Sequence, residues 1–265
     1  MRIVALMENT SGKECCRAEH GLSLYIETDR HKVLFDAGAS GLFAKNARAL
    51  GVDLAAVDTA VLSHGHSDHS GGVTTFFRLN DHAKLYARAT YDRARYNCDG
   101  KYIGVEPRLI GHPRIVAVNE DRLRLDNELT IASYAGKPCE WPVDTCGMMM
   151  EAGGVLVPEQ FAHEQYLLVS EGAKKVLISG CSHRGILNIM GWASKEGAQA
   201  VVGGFHFKDV PEDQFRRMDA AAAELKHWPV TYYTCHCTGV PQYDYLRQRM
   251  GEQLRYLATG DELVL

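Results

Sequence analysis

The chain has 265 residues, and its 29 basic against 33 acidic side chains leave a formal net charge of −4. That length suits a single α/β domain spanning residues 1–265 with a large core, and the charge balance excludes the basic footprint of a nucleic-acid binder. No apolar run is long enough to cross a bilayer, so the expected partner is a small or medium-sized molecule rather than nucleic acid or membrane.

In chain order, Arg2 to Glu8 predicts a first strand ending at Asn9-Thr10-Ser11-Gly12. Glu19-His20-Gly21 leads into a hairpin, Leu22 to Thr28 and His31 to Phe35 across a polar Asp29-Arg30 turn, followed by Asp36-Ala37-Gly38. Gly41 to Leu50 predicts a helix closed by Gly51 in a C-cap position. His20, alone before a strand, reads first as structural or solvated. Asp36, at a strand end before a glycine, reads as an acceptor that organises the loop beside it.

The next strand, Thr59 to Leu62, delivers Ser63-His64-Gly65-His66-Ser67-Asp68-His69-Ser70-Gly71-Gly72. Three imidazoles and a carboxylate this close together have the density of a metal site, since these groups are the usual donors to zinc and, with more oxygen, to manganese or iron. In an extended chain residues two apart point the same way. His64 and His66 can therefore grip one ion, and Asp68 with His69 on the following turn can hold a second. Gly65 permits a tight bend, and Gly71-Gly72 lets a helix, expected over His69 to Leu79, lie close to the ligands.

Lys84 to Arg88 predicts another strand, after which Thr90 to Gly111 is irregular and rich in Tyr and Arg: Tyr91, Arg93, Arg95, Tyr96, Tyr102 and Arg108. An exposed helix and loop is the plain expectation. Beside a metal cleft the same composition would suit a lid, over residues 90–112, that binds an anionic or aromatic ligand. Arg114 to Asn119 and Leu129 to Tyr134 predict strands around a hairpin at Asp126-Asn127, whereas Gly136 to Pro158 shows no pattern. Its Met148-Met149-Met150 triplet reads only as flexible apolar filling.

Tyr166 to Val169 and Lys175 to Ile178 form a second hairpin on the plan of the first. Three strand ends then carry histidines: Val176 to Ile178 leads to Cys181 and His183, Ala200 to Val202 to Gly203-Gly204-Phe205-His206, and Val230 to Tyr233 to Cys235-His236-Cys237-Thr238-Gly239. Pro211, Glu212 and Asp213 open a helix with Phe215, Met218, Ala222 and Leu225 along one stripe, and Pro241 opens another. Ligands of open α/β sheets collect beyond the carboxyl ends of the strands, so these histidines are expected to converge on the first cluster. Alternation then turns His236 toward the metals and Cys235 and Cys237 away. His163 is a further ligand candidate ranked below His183. The eight cysteines, in a chain whose start shows no export pattern, are expected to be reduced thiols of a cytoplasmic protein, most of them packing residues.

Taken together, Asn9-Thr10, Glu19-His20-Gly21-Leu22-Ser23, Leu34-Phe35-Asp36-Ala37-Gly38, the H-x-H-x-D-H run, Gly180-Cys181-Ser182-His183, Gly203-Gly204-Phe205-His206 and His236-Cys237-Thr238-Gly239 resemble the metallo-β-lactamase superfamily. Within it they are most similar to the 7,8-dihydropterin-6-methyl-4-(β-D-ribofuranosyl)aminobenzene-5′-phosphate synthase group, also described as related to dihydropteroate synthase. The resemblance implies an α/β fold, a four-layer αββα sandwich, with two divalent metal ions between the sheets, zinc first and manganese or iron as alternatives. The implied metal ligands are His64, His66, Asp68, His69, Cys181, His183 and His236, with Cys181 standing where the superfamily usually has a bridging aspartate. Asp68 would also orient the attacking water, and His206 would donate a proton or contact a phosphate. Asn9, His20 and Asp36 would lie around the substrate or behind the ligands. The implied activity is that of a metal-dependent hydrolase, or a pterin-condensing synthase, acting on a phosphorylated or pterin-like small molecule. A non-catalytic metal- and ligand-binding protein and a di-iron oxidoreductase are the alternatives, and assembly into a homo-oligomer is left open.

Overall fold

The computed structural model covers residues 1–265. Its strands are β1 (Arg2–Met7), β2 (Ser23–Glu27), β3 (Lys32–Phe35), β4 (Thr59–Val61), β5 (Lys84–Arg88), β6 (Arg95–Tyr96), β7 (Ile115–Val118), β8 (Arg122–Arg124) and β9 (Leu129–Ala132). They continue with β10 (Met149–Ala152), β11 (Val155–Pro158), β12 (Tyr166–Glu171), β13 (Lys174–Ile178), β14 (Ala200–Val202), β15 (Thr231–Thr234), β16 (Leu254–Tyr256) and β17 (Glu262–Val264). The helices are α1 (Leu42–Ala49), α2 (Ser67–Ser70), α3 (Val73–Leu79), α4 (Ile186–Ala193), α5 (Asp219–His227) and α6 (Val240–Met250).

Two seven-stranded sheets run in the orders β17-β1-β2-β3-β4-β5-β7 and β16-β15-β14-β13-β12-β9-β8. The plan is used twice: the antiparallel hairpin β2–β3 is continued by parallel β4 and β5, and the hairpin β12–β13 by parallel β14 and β15. Side chains alternate along each strand, which sorts β1 into Ile3 and Ala5 on one face and Val4 and Leu6 on the other. The first pair joins a buried cluster between the sheets with Leu24, Phe35, Val61, Ile131, Leu167 and Ile178. The second pair packs with Phe43, Ala47, Val73 and Phe76 of α1 and α3. On the far side Leu168, Leu177 and Val201 meet Ile189, Leu225 and Leu246 of α4, α5 and α6. Each fully buried Leu, Ile or Phe contributes about 1.5–3 kcal/mol, so both faces of both sheets are held, and the result is the four-layer αββα sandwich.

Four details differ from the expectation. The hairpin at Asp126-Asn127 joins β9 to β8, whereas β7 pairs with β5 in the other sheet. The helix foreseen over His69 to Leu79 is two helices broken at Gly71-Gly72, because the chain there presses on the loop after β3. A Cβ on Gly71 would lie 2.1 Å from the Ala39 carbonyl oxygen, and one on Gly72 2.0 Å from that of Ala37. The helix after Pro211 begins as a 3-10 segment, Glu212–Met218, before α5; its stripe of Phe215, Met218, Ala222 and Leu225 is buried as expected. The patternless stretch before Pro158 contains β10 and β11, which with β6 make a small three-stranded sheet.

Candidate metal centre

The carboxyl ends of β3, β4, β13, β14 and β15 meet along one edge of the sandwich and carry Asp36, the His64 to His69 run, Cys181 with His183, His206 and His236. Asp36, Ser182, His206 and His236 have φ between 50° and 59°, a region that costs a non-glycine residue free energy and collects at functional loops. His64, His66, His69, Cys181, His183 and His236 are all buried.

Two groups form. His64, His66 and His183 present ligand atoms within 4.8 Å of one another. Beside them, the Nε2 of His69 lies 3.2 Å from the Cys181 Sγ and 3.2 Å from the His236 Nε2, which is 3.3 Å from Asp68 Oδ2. The hydrogen bonds behind the rings decide what these atoms offer. His69 Nδ1 faces Asp36 Oδ2 at 2.6 Å and His236 Nδ1 faces Asn9 Oδ1 at 2.8 Å. Both oxygens are acceptors, so each Nδ1 carries a proton and each Nε2 is the lone pair that the neutral ring offers a metal. Ser63 donates its hydroxyl proton to Asp36 Oδ2 at 2.6 Å and accepts from His64 Nδ1 at 2.8 Å, which bares the His64 Nε2, 3.2 Å from the Nε2 of His183. His66 Nε2 and His183 Nδ1 have no partner at all.

Bare lone pairs at these separations repel unless a cation lies between them. Ligand atoms about 2.0–2.1 Å from a tetrahedral zinc ion stand about 3.3 Å apart, and the His64–His183, His69–Cys181, His69–His236 and His236–Asp68 separations of 3.2–3.3 Å match that value. The residues therefore fit two divalent cations: His64, His66 and His183 could hold one, and Asp68, His69, His236 and Cys181 the other.

The electrostatics agree. Burial pushes the His66 and His236 imidazoles down to about 3 and those of His64 and His183 well below the ordinary histidine value, so all four are neutral imidazoles at pH 7. His69 differs: burial opposes its charge, but Asp36 and Asp68 outweigh burial and push it up to about 9. Asp68 is held well below the usual carboxylate range because His69, His20 and His236 overcome the cost of its burial.

Further buried groups fix the loops. Glu8 accepts the His236 N–H at 3.1 Å, and Glu164 accepts the N–H groups of His183 and Arg184 at 2.6 and 2.9 Å. His163 lies behind the ligand run and its Nδ1 accepts the Gly65 N–H at 2.8 Å, which leaves Nε2 protonated toward the His66 and Glu159 side. Phe161 stacks on the His183 ring with centroids 4.4 Å apart. Sequence reasoning missed Glu8, Glu164 and Phe161, whose partners are distant in the chain.

The groups open into a cleft of about 620 Å³ lined by Asn97, Cys98, Asp99, Asp144, Cys146, Met148, His206, Lys208 and Asp209 besides the ligand candidates. His206 packs its ring 4.3 Å from that of His183. His20 is no remote surface residue: its Nε2 is 3.3 Å from Asp68 Oδ2. Two expectations are corrected. Cys237 lines the cleft and lies with Cys181 and His236 in one ligand-sized group, because His236 takes a positive φ and begins a 3-10 turn, His236–Thr238, where strand alternation no longer holds. In the Tyr- and Arg-rich segment Arg95 is buried and its Nε faces Glu159 at 2.9 Å, and the Tyr91 hydroxyl donates to the Leu109 carbonyl. Those two side chains brace the segment instead of facing a ligand, and what it lends the cleft is Asn97, Cys98 and Asp99.

Residues 17–206 match the family model of the metallo-beta-lactamase superfamily. A solved structure described as a metal-dependent hydrolase of the β-lactamase superfamily superposes with a TM-score of 0.86 at 28% identity, over 100% of this chain and 99% of its own. An uncharacterised protein of Methanocaldococcus jannaschii is 27% identical over 89% of this chain and 90% of its length. The 7,8-dihydropterin-6-methyl-4-(β-D-ribofuranosyl)-aminobenzene-5′-phosphate synthase of the same organism is 24% identical over 92% and 89%. No helix is long and apolar enough to cross a membrane. With its sandwich, its strand-end ligand loops and this match over most of its length, the chain belongs to the metallo-β-lactamase superfamily.

Proposed function

We infer that this protein is a two-metal enzyme that hydrolyses an ester bond in a phosphorylated or pterin-like small molecule, with zinc as the first choice of metal. The observation that carries the reading is the convergence of buried nitrogen, sulfur and carboxylate donors at the floor of a 620 Å³ cleft. When bound, the cations would supply Lewis acidity, lowering the pKa of a water and polarising the scissile group.

The chain's own residues set the rest. Asp68, reached by His20 and His236, stays ionised and orients the attacking water by accepting a hydrogen bond from it. Asp36 and Asn9 keep His69 and His236 in the tautomer that binds metal. His206 is kept neutral by burial, which Asp209 only partly offsets, so its N–H donates a hydrogen bond that stabilises the negative charge developing on the leaving oxygen, and the proton that oxygen finally takes comes from water. Asn97 to Asp99 and Asp144 to Met148 form the cover of the cleft. Hydrolysis is favoured over condensation because the site needs only water as second reactant; the pterin synthase among the relatives keeps a pterin phosphate among the substrates to try. A thiol at Cys181 that must stay reduced to bind metal fits a cytoplasmic location.

The test is metal content together with turnover of bis(p-nitrophenyl) phosphate and pterin phosphates, wild type against His66→Ala. Loss of at least one metal equivalent and of turnover is expected. Equal turnover in metal-free protein would end the reading.

A further inference from the structure

Lys208 is the one cationic side chain of Lys or Arg type among the residues lining the cleft. Its main chain is fixed to the turn that carries His236: its N–H donates to the Cys237 carbonyl at 3.0 Å, and its carbonyl accepts from Gln242 Nε2 at 3.0 Å. Gly239 packs so closely that a Cβ there would come 3.1 Å from the Lys208 Cα. The ammonium nitrogen lies 3.2 Å from His20 Nε2, the ring nitrogen that also faces Asp68, and has no carboxylate within ion-pairing distance, although Asp144 and Asp209 line the same cleft. An ammonium has three donors, so two remain for a ligand. His20 in turn stands 3.3 Å from Asp68 Oδ2, which places Lys208 no more than two hydrogen-bond lengths from a candidate metal ligand.

We propose that Lys208, braced by His20, binds a second anionic group of the substrate, a phosphate monoester a few atoms from the group that reacts. The proposal rests on the two-metal reading of the site. Lysine serves as a point charge for phosphate. The ligand class is an organic molecule with two separated phosphoryl groups, one over the metals and one on Lys208.

The test is calorimetric titration of zinc-loaded protein with propane-1,3-diol bisphosphate and with propyl phosphate, zinc being assayed in every variant. In the wild type the bisphosphate should bind at least about tenfold more tightly, as one charged hydrogen-bonded contact predicts. In Lys208→Ala that advantage should fall below about threefold, and Lys208→Arg should restore most of it. His20→Ala should reduce it in part. A wild type without the advantage, or a Lys208→Ala protein that keeps it with full zinc, overturns the proposal. Binding that depends on Lys208 in a protein that turns over no ester would sink the hydrolase reading and leave this one standing; turnover without the Lys208 effect would do the reverse.

Discussion

Asp36→Asn separates ligand orientation from ligand identity. The Asp36 carboxylate accepts three buried hydrogen bonds, from Ser63 N–H at 2.7 Å, Ser63 Oγ–H at 2.6 Å and His69 Nδ1–H at 2.6 Å. Asparagine keeps the shape and one oxygen, enough for the Ser63 amide, but turns N–H groups toward the other two. Either His69 reverses its tautomer and puts a proton on Nε2, or two N–H groups face each other in the interior. A stranded buried donor costs about 1–3 kcal/mol of stability, and a lost partner behind a metal-bound imidazole costs about 10–100-fold in metal affinity. Protons sharpen the test. In the wild type Asp36 and Asp68 push His69 up to about 9 against the effect of burial, so a metal must displace a proton there and zinc affinity should climb from pH 7 to 9. The asparagine variant loses the competing proton together with the metal, so its affinity should change little with pH, and the deficit should widen toward pH 9. Zinc titration against a chromophoric chelator at both pH values reads this directly. A variant with wild-type affinity at pH 9, or with the wild-type slope, refutes the tautomer argument. The linkage has a second reading in metal-free protein. The raised value stabilises the fold below about 6.5, the unfolded histidine value, and that stability is lost as pH rises through about 9, so urea midpoints should fall across this window in the wild type and less in Asp36→Asn.

At the opposite end of the sandwich His31 joins Asp126 at 2.7 Å and Asp58 at 3.0 Å. Burial opposes its charge, but the two carboxylates outweigh burial and raise it. Its contribution is present below about pH 6.5 and fades as pH rises through the raised value; it should be under about 1 kcal/mol for so accessible a pair. Urea unfolding at pH 6 and 9 should show that increment vanish in His31→Asn, and equal pH slopes would count against it. Cys181→Ala should abolish the thiolate-to-metal charge-transfer band of cobalt-substituted protein while Cys237→Ser keeps it; survival of the band in Cys181→Ala would move the ligand role to Cys237. Gly65→Ala places a Cβ 2.3 Å from the Tyr91 carbonyl oxygen, so the ligand loop must shift, at about 1–3 kcal/mol and with reduced zinc content. Unchanged melting temperature and stoichiometry would show that Tyr91 gives way instead.

Much of this was legible because the signals are local. Period-two alternation along β1 puts Ile3 and Ala5 in one core cluster and Val4 and Leu6 in another, and the imidazole run sits within one turn of its strand. The distant loops at Cys181, His206 and His236 could be gathered only through the rule that ligands collect at strand ends. What escaped has no local mark. β10 and β11 are mostly half-buried or exposed, without strict alternation, so no periodicity announces them. Arg95 in an Arg-rich stretch looks like its exposed neighbours until Glu159 is brought beside it.

Cys237 is the most instructive failure. The alternation rule was sound for an extended chain, but His236 at φ 50° bends out of the strand, and a histidine in that conformation has the same one-letter code as any other. The same holds for Asp36, Ser182 and His206. A strained residue needs neighbours that over-determine it: here Glu8 grips the His236 N–H, Thr238 Oγ1 accepts the Phe205 N–H, and Ser63 takes both arms of Asp36. The sequence names the donors by local density, while the tautomer and aim of each ring are set by partners as many as 227 positions away. A dense set of donors is thus readable from one stretch of chain, and the alignment of those donors with the distant loops only from the folded whole.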